Sequence, residues 1–255
     1  MTRATERFSS RAADYARSRP GYPRAALRLL ETRCGLAAGT LAADIGAGTG
    51  ILTALLLESG AQVIAVEPND AMRAAAEERL GGHPHFRSVK ASAENTSLPA
   101  ATVDLWVAGQ AFHWFDVAQA RREALRVLRR GARAALLWNE RPTELTPFLA
   151  DYEALLLRHA AEYAQITASR ADAASMSGFF GGEMELATFP NEQSLDFEGL
   201  RGRLMSSSYA PEPGHPQHGP MIAGLEALFH RHAQDGRVLF PYRTLVYFGA
   251  LQQDE

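Results

Sequence analysis

A chain of 255 residues, 46% hydrophobic and 22% charged, is long enough for one ordinary globular unit with a full core. Its 26 lysines and arginines against 29 aspartates and glutamates leave a formal charge of -3, which supplies no electrostatic footprint for nucleic acid or an anionic membrane. The single cysteine, Cys34, excludes an internal disulfide and a thiolate metal cluster. Met1 to Ser10 is polar and lacks an apolar signal segment, and no run reaches the roughly 20 apolar residues of a membrane span, so a soluble cytoplasmic protein is expected.

In chain order, Phe8 to Tyr15 reads as a helix that stops before the turn-rich Arg19-Pro20-Gly21-Tyr22-Pro23, and Arg24 to Thr32 as a second helix. Thr40 to Ile45 is a short apolar strand, followed by the glycine-rich Gly46 to Gly50 and a helix over Ile51 to Glu58. Gln62 to Val66 is apolar at consecutive positions, as a strand buried on both faces is. Asp70 to Leu80 follows as a helix, with Asp70 as its expected N-cap. Phe86 to Lys90, Val103 to Ala108 and Ala132 to Trp138 read as further strands, with an arginine-rich helix over Asp116 to Arg129 between the last two. Strand and helix thus alternate through residue 138, which predicts an α/β fold: an open, mostly parallel sheet with helices on both faces. Beyond it the spacing predicts helices over Phe148 to Ala164, Phe197 to Leu204 and Met221 to His232, strands over Glu183 to Phe189 and Arg243 to Ala250, and a loop from Ser206 to Pro220. The expected organisation is one domain over 1–255: an N-terminal helical lid (1–35), a ligand-binding core (36–140) and substrate-side helices with the last strands (141–255).

The strongest chemical signal is Asp44-Ile45-Gly46-Ala47-Gly48-Thr49-Gly50, between a strand and a helix. At the carboxyl end of a strand in an open α/β sheet, glycines let a ligand lie against the backbone. A dinucleotide fingerprint requires a third glycine at position 51, where this chain has Ile51. Asp44 would repel a pyrophosphate and attract an ammonium, so the loop suits a cationic amino-acid ligand. Glu67, about 20 residues on at the end of the second strand, is placed to accept hydrogen bonds from two ribose hydroxyls, with Pro68 and Met72 flanking an adenine.

With Val66-Glu67-Pro68-Asn69-Asp70-Ala71-Met72, Ala91-Ser92-Ala93-Glu94 and Val103-Asp104-Leu105-Trp106-Val107-Ala108, this loop resembles the class I S-adenosylmethionine-dependent methyltransferases of the small-molecule type 11 kind. The resemblance implies a Rossmann-like, seven-stranded sheet whose last strand is antiparallel, with a helical cover on the substrate side. It implies S-adenosylmethionine as cofactor, with Asp44, Gly46, Ala47, Gly48, Glu67, Pro68 and Met72 around it. Ala93 and Glu94 would read the adenine edge, and Gly109, Gln110 and Ala111 would line the methionine end. Tyr15 with Arg19 to Pro23, and Gln110-Ala111-Phe112-His113-Trp114-Phe115, look like the trans-aconitate methyltransferase-like branch, which would put Tyr15 and Arg19 near the cofactor carboxylate.

The implied activity is methyl transfer by in-line displacement to a small acceptor bearing a carboxylate, hydroxyl or amine. His113 is the candidate catalytic residue: either a base or orienting group for an acceptor oxygen, or a ring that anchors the packing of Trp114 and Phe115. A non-catalytic protein that senses the cofactor or its demethylated product, and an NAD-dependent oxidoreductase, are the competing readings. No histidine pair has a cysteine or carboxylate at a metal-binding spacing, so no metal is expected, nor a nucleic-acid or membrane partner. A monomer or homodimer is expected. Of the arginines, Arg201, Arg203 and Arg243 are the candidates for holding an anionic substrate.

Overall fold

The computed structural model describes residues 18–164 and 173–252. Tyr15 and the helix expected over Phe8 to Tyr15 lie outside these residues. The described elements run α1 (Arg24–Cys34), β1 (Leu41–Ile45), α2 (Ile51–Leu57), β2 (Gln62–Val66), α3 (Asp70–Leu80), β3 (Phe86–Val89), β4 (Val103–Gly109), α4 (Val117–Val127), β5 (Leu128–Glu140), α5 (Pro147–His159), α6 (Ala173–Phe180), β6 (Glu185–Leu195), α7 (Phe197–Met205), α8 (His218–His232) and β7 (Val238–Ala250). A 3-10 turn, Phe112–Trp114, follows β4.

The strands form one seven-stranded sheet in the order β3-β2-β1-β4-β5-β7-β6. Strands β1 to β5 pair in parallel, while β7 is antiparallel to both β5 and β6. The order reverses between β1 and β4, and in open α/β sheets the crevice beyond the carboxyl ends at such a reversal is where ligands bind. Successive residues of β4 go to opposite faces: Trp106 and Ala108 pack with α4 and α6, Leu105 and Val107 with α1 and α2. A third cluster joins α5, α7 and α8 to Val238, Phe240 and Tyr242 of β7. It covers the carboxyl end of the sheet, because β7 outruns β5: the last β5 pair is Glu140 with Arg243, and residues 238–242 pair with β6 alone.

Several expected boundaries move, each for a local reason. Strand β5 begins at Leu128, not Ala132, because Gly131 takes φ +81° and the register shifts there between Val103 and Leu105 of β4. Strand β6 continues past Phe189 to Leu195; as an edge strand it tolerates Pro190 and carries polar residues on both sides, so no apolar alternation marks it. Strand β7 starts at Val238, five residues before the expected Arg243, and Pro241 lies beyond its last pair with β5. Helix α3 is capped by Asn69, whose side chain accepts from the Met72 N–H at 3.0 Å, not by Asp70, which instead pairs with Arg73 and Lys90. Helix α8 begins at His218, inside the expected loop, and α5 ends at His159, short of Ala164. Helix α6 has no counterpart in the sequence reading: its Ser- and Gly-containing stretch is held by Met176, Phe179 and Phe180, with Phe179 4.9 Å from Trp106 and 5.2 Å from Phe112 between ring centres.

Candidate functional site

Strands β1, β2 and β4 end together, and their last residues build the site. Asp44, fully buried near the end of β1, accepts a 2.6 Å hydrogen bond from the Thr53 hydroxyl of α2 on Oδ2. Its Oδ1 is buried and has no partner among the described residues. An orphaned buried carboxylate oxygen is costly, so such a group calls for a donor from outside the protein. Burial pushes the Asp44 carboxyl up to about 7, against the lowering effect of Thr53.

The turn after Asp44 is tied to the neighbouring strand, since Gly46 and Ala47 N–H both donate to the Val66 carbonyl, at 2.8 and 3.1 Å. Gly46 takes φ +68°, and a Cβ there would lie 2.6 Å from Ala111 Cβ, so only glycine lets the turn pass under the segment after β4. Gly48 N–H donates to Glu67 Oε2 and Asn69 N–H to Glu67 Oε1, both at 2.8 Å. These two bonds aim the largely buried Glu67 carboxylate and leave each oxygen a further lone pair. Burial nonetheless raises the Glu67 carboxyl above its ordinary value. Met72 is buried on α3 and Pro68 half-buried before it.

The segment after β3 carries Ala93, buried, and Glu94, half-buried, whose Oε1 accepts from Asp116 N–H at 2.9 Å. Its fold depends on Thr96, fully buried, whose N–H and hydroxyl both donate to Glu123 Oε1 of α4, at 2.8 and 2.5 Å. Arg126 first, with Thr96, holds the Glu123 carboxyl down to about 2. A depressed carboxyl gives stability that is full above its ordinary 4.5 and lost as pH falls through about 2. Glu123→Gln is therefore expected to cost about 2 kcal/mol at pH 7 and to flatten the acid-unfolding profile between pH 4.5 and 2; an unchanged profile would count against this anchor.

Beyond β4, Gln110 adopts φ +57°, which a non-glycine residue seldom does, and is held there by its N–H to the Leu137 carbonyl (2.9 Å) and its side-chain amide to the Asn139 carbonyl (3.0 Å). Gly109 packs beneath Tyr22, whose hydroxyl lies 2.5 Å from where a Cβ would stand. Ala111 is buried, and His113 sits half-buried on the 3-10 turn with its ring 4.8 Å from that of Trp114. Arg19 donates to the Ser206 carbonyl at 2.9 Å, which ties the N-terminal segment to the end of α7. Asp44, Gly46, Ala47, Gly48, Glu67, Gly109 and Ala111 are thus brought to one turn-lined face, with Met72, Ala93 and Glu94 on the segments beside it.

Sequence reasoning missed Asn139 and Asn191. Asn139, at the end of β5, accepts from the Thr244 hydroxyl and from Asn191, and both asparagine side chains donate to the Gly21 carbonyl, at 3.0 and 2.8 Å. A polar residue closing an apolar strand was the only signal available for Asn139. Among the described residues no group of three or more His, Cys, Asp or Glu is placed to hold a metal, and no helix is long and apolar enough to cross a membrane.

Residues 43–136 match the family model described as "Methyltransferase domain". An uncharacterized methyltransferase of Mycobacterium tuberculosis is 39% identical over 142 residues, 54% of this chain and 54% of the relative. A methyltransferase-like protein of Schizosaccharomyces pombe is 26% identical over 204 residues, 79% of this chain and 77% of the relative. A solved structure described as a candidate type II methyltransferase of Anaeromyxobacter dehalogenans superposes with TM-score 0.61 at 26% identity, over 92% of this chain and 99% of that one. The chain spans about half the length of the first curated relatives it matches.

Proposed function

We propose, from the premise that residues 43–136 are a class I methyltransferase domain whose cofactor is S-adenosylmethionine, that the chain transfers a methyl group to a small-molecule acceptor bearing a carboxylate, hydroxyl or amine. The observation that carries the reading is the buried, unpartnered Oδ1 of Asp44 beside a turn that only Gly46 keeps open. That pair of features fits an ammonium-bearing ligand lying against backbone and is ill suited to a pyrophosphate, which argues against an NAD-dependent oxidoreductase.

In this reading Asp44 takes the ammonium of the cofactor and Glu67 its ribose hydroxyls. Gly46, Ala47 and Gly48 supply the open turn, Pro68, Met72, Ala93 and Glu94 enclose the adenine, and Gly109, Gln110 and Ala111 line the methionine end. Tyr15 and Arg19 would lie toward the cofactor carboxylate. When bound, S-adenosylmethionine supplies a methyl group already activated on a sulfonium sulfur. What remains for the protein is alignment, and the strained, doubly anchored Gln110 is suited to hold the transfer wall still. His113 has work to do for a hydroxyl acceptor, whose proton must leave, and none for a carboxylate, which is ionised at neutral pH. The finer placement in the trans-aconitate methyltransferase-like branch rests on the resemblance of Arg19 to Pro23 and Gln110 to Phe115.

Calorimetric titration with S-adenosylmethionine, S-adenosylhomocysteine and NAD tests the reading. Micromolar binding of the first two and none of NAD is expected. Binding of NAD in their place would sink it; cofactor binding without methyl release to any acid, alcohol or amine would favour a non-catalytic sensor.

A further inference from the structure

The cluster that covers the carboxyl end of the sheet holds a buried positive charge with no carboxylate partner among the described residues. Arg203, on α7, is 6% exposed. Its Nε donates to the Tyr242 hydroxyl at 2.9 Å and its Nη1 to the Ser207 hydroxyl at 3.2 Å, while the guanidinium stands 5.6 and 5.8 Å from the ring centres of Phe240 and Tyr242. No carboxylate among the described residues pairs with it, and its second terminal nitrogen donates to none of them. A guanidinium taken out of water without a counter-charge costs several kcal/mol, a cost that an arriving anion would offset.

Phenols and a second guanidinium surround it. Arg141, just past the end of β5, is also buried; it pairs with Glu153, donates to the Tyr163 hydroxyl at 2.5 Å and lies 5.1 Å from the ring centre of Tyr152. Tyr152 stacks edge-on to Phe240 at 5.1 Å, and its fully buried hydroxyl has no hydrogen-bond partner. Tyr209 keeps part of its surface exposed, and its ring packs 4.9 Å from that of Tyr163. Desolvation raises the Tyr209 phenol, but Arg203, Arg141 and Arg19 outweigh it, so the phenol ends below its ordinary value. Hydroxyls that can donate, one orphaned and one beside two buried guanidiniums, complement an oxyanion.

We propose that Arg203, with Tyr152 and Tyr209 beside it, binds an anionic oxygen group, carboxylate or phosphate, carried by the methyl acceptor. This rests on the methyltransferase reading for the word acceptor, though not for the anion site itself. The position agrees: Arg141 follows β5 directly, and Tyr242 and Phe240 lie where β7 runs beyond the carboxyl ends, the same end of the sheet as Asp44 and Glu67. Hydrogen bonds run from both regions to one stretch of main chain, from Gln110 through Asn139 to the Gly21 carbonyl and from Tyr242 through Gln193 to the Ser18 carbonyl. Of the three arginines singled out in the sequence, Arg201 is exposed beside Glu198 at 3.5 Å and Arg243 is exposed, so Arg203 is the buried one of the three.

The test is titration of the full chain with malonate, with inorganic phosphate and with malonamide as the neutral counterpart, each with and without saturating S-adenosylhomocysteine. At least one anion is expected to bind and malonamide to fail; malonate alone points to a carboxylate acceptor, phosphate alone to a phosphate. Arg203→Met should weaken the anion at least tenfold and leave the affinity for S-adenosylhomocysteine unchanged, with Arg203→Lys in between. Without anion, the Arg203→Met melting temperature should equal or exceed that of the wild type, since an uncompensated buried charge has been removed. Binding of neither anion, malonamide binding as well as malonate, an unaffected Arg203→Met protein, or a fall of more than about 5 °C in its melting temperature overturns the proposal. Anion binding without S-adenosylhomocysteine binding would instead remove the methyltransferase reading and leave the anion site standing.

Discussion

Asp44→Asn is expected to make the ligand-free protein more stable at pH 8 and to weaken S-adenosylhomocysteine by about 30–100-fold. Both effects come from one buried carboxylate. Burial lifts its folded-state pKa to about 7 from the ordinary 3.8, so the folded protein binds this proton more tightly than the unfolded chain does. Stability from the group is therefore full below about pH 4 and is lost as pH rises through 7. A displacement of that size corresponds to at most about 4 kcal/mol at pH 8. Asparagine keeps an oxygen for the Thr53 hydroxyl but buries an amide donor of its own, so a net gain of about 1–3 kcal/mol is expected. Lost affinity follows from removing a charge-assisted hydrogen bond of about 2–3 kcal/mol. Because the ammonium needs the ionised form, wild-type affinity should climb with pH up to about 7 and then level, with proton release on binding below that point. Thermal melts between pH 4 and 8 and calorimetry across the same range check both halves. An asparagine variant that melts below the wild type at pH 8, or binds S-adenosylhomocysteine as tightly, removes Asp44 from this role.

What could be read in the sequence was what lies close along the chain. Asp44 to Gly50 and Glu67 stand out because a strand, a tight turn and a helix determine their neighbours within a few residues, and consecutive apolar residues in Gln62 to Val66 announce a strand covered on both faces. The parallel half of the sheet follows from the same alternation. Contacts between distant segments left no such trace. Arg203 meets Tyr242 across 39 residues, and Arg19 reaches Ser206 across 187. From composition alone Arg201, Arg203 and Arg243 were equivalent; residues two apart on a helix point about 200° apart, so α7 turns Arg203 inward and Arg201 outward. The second half of strand β6, past Phe189, hid behind polar residues on both faces of a sheet edge, and α6 behind serines and a glycine, because burial against Trp106 and Phe112, not local propensity, holds it in place. Asn69 and Asp70 are both good caps by type, and only the path of the chain out of β2 decides between them.

Gly46→Ala carries the second large effect, and its two causes separate experimentally. The residue sits at φ +68°, which costs an L residue about 1–2 kcal/mol, and the new Cβ would lie 2.6 Å from Ala111 Cβ, with Phe115 ring atoms at 3.4 Å. Neither neighbour is the free end of a flexible chain: Ala111 belongs to the segment that holds Gln110 in its own left-handed conformation. Relief must come from moving backbone, at a further cost of about 1–3 kcal/mol, so a total of about 2–5 kcal/mol is expected in chemical denaturation. Gly48 is the internal control. It too has positive φ, +57°, but a Cβ there meets nothing within 4 Å, so Gly48→Ala should show the conformational cost alone. If the overlap is real, Ala111→Gly introduced into the Gly46→Ala protein should restore at least about 1 kcal/mol relative to its effect in the wild type, a coupling that independent sites do not show. Equal losses at Gly46 and Gly48 with no coupling would mean the turn has room beneath the segment after β4. The close fit between the first and fourth strand ends, on which the proposed transfer site depends, would then have to be abandoned.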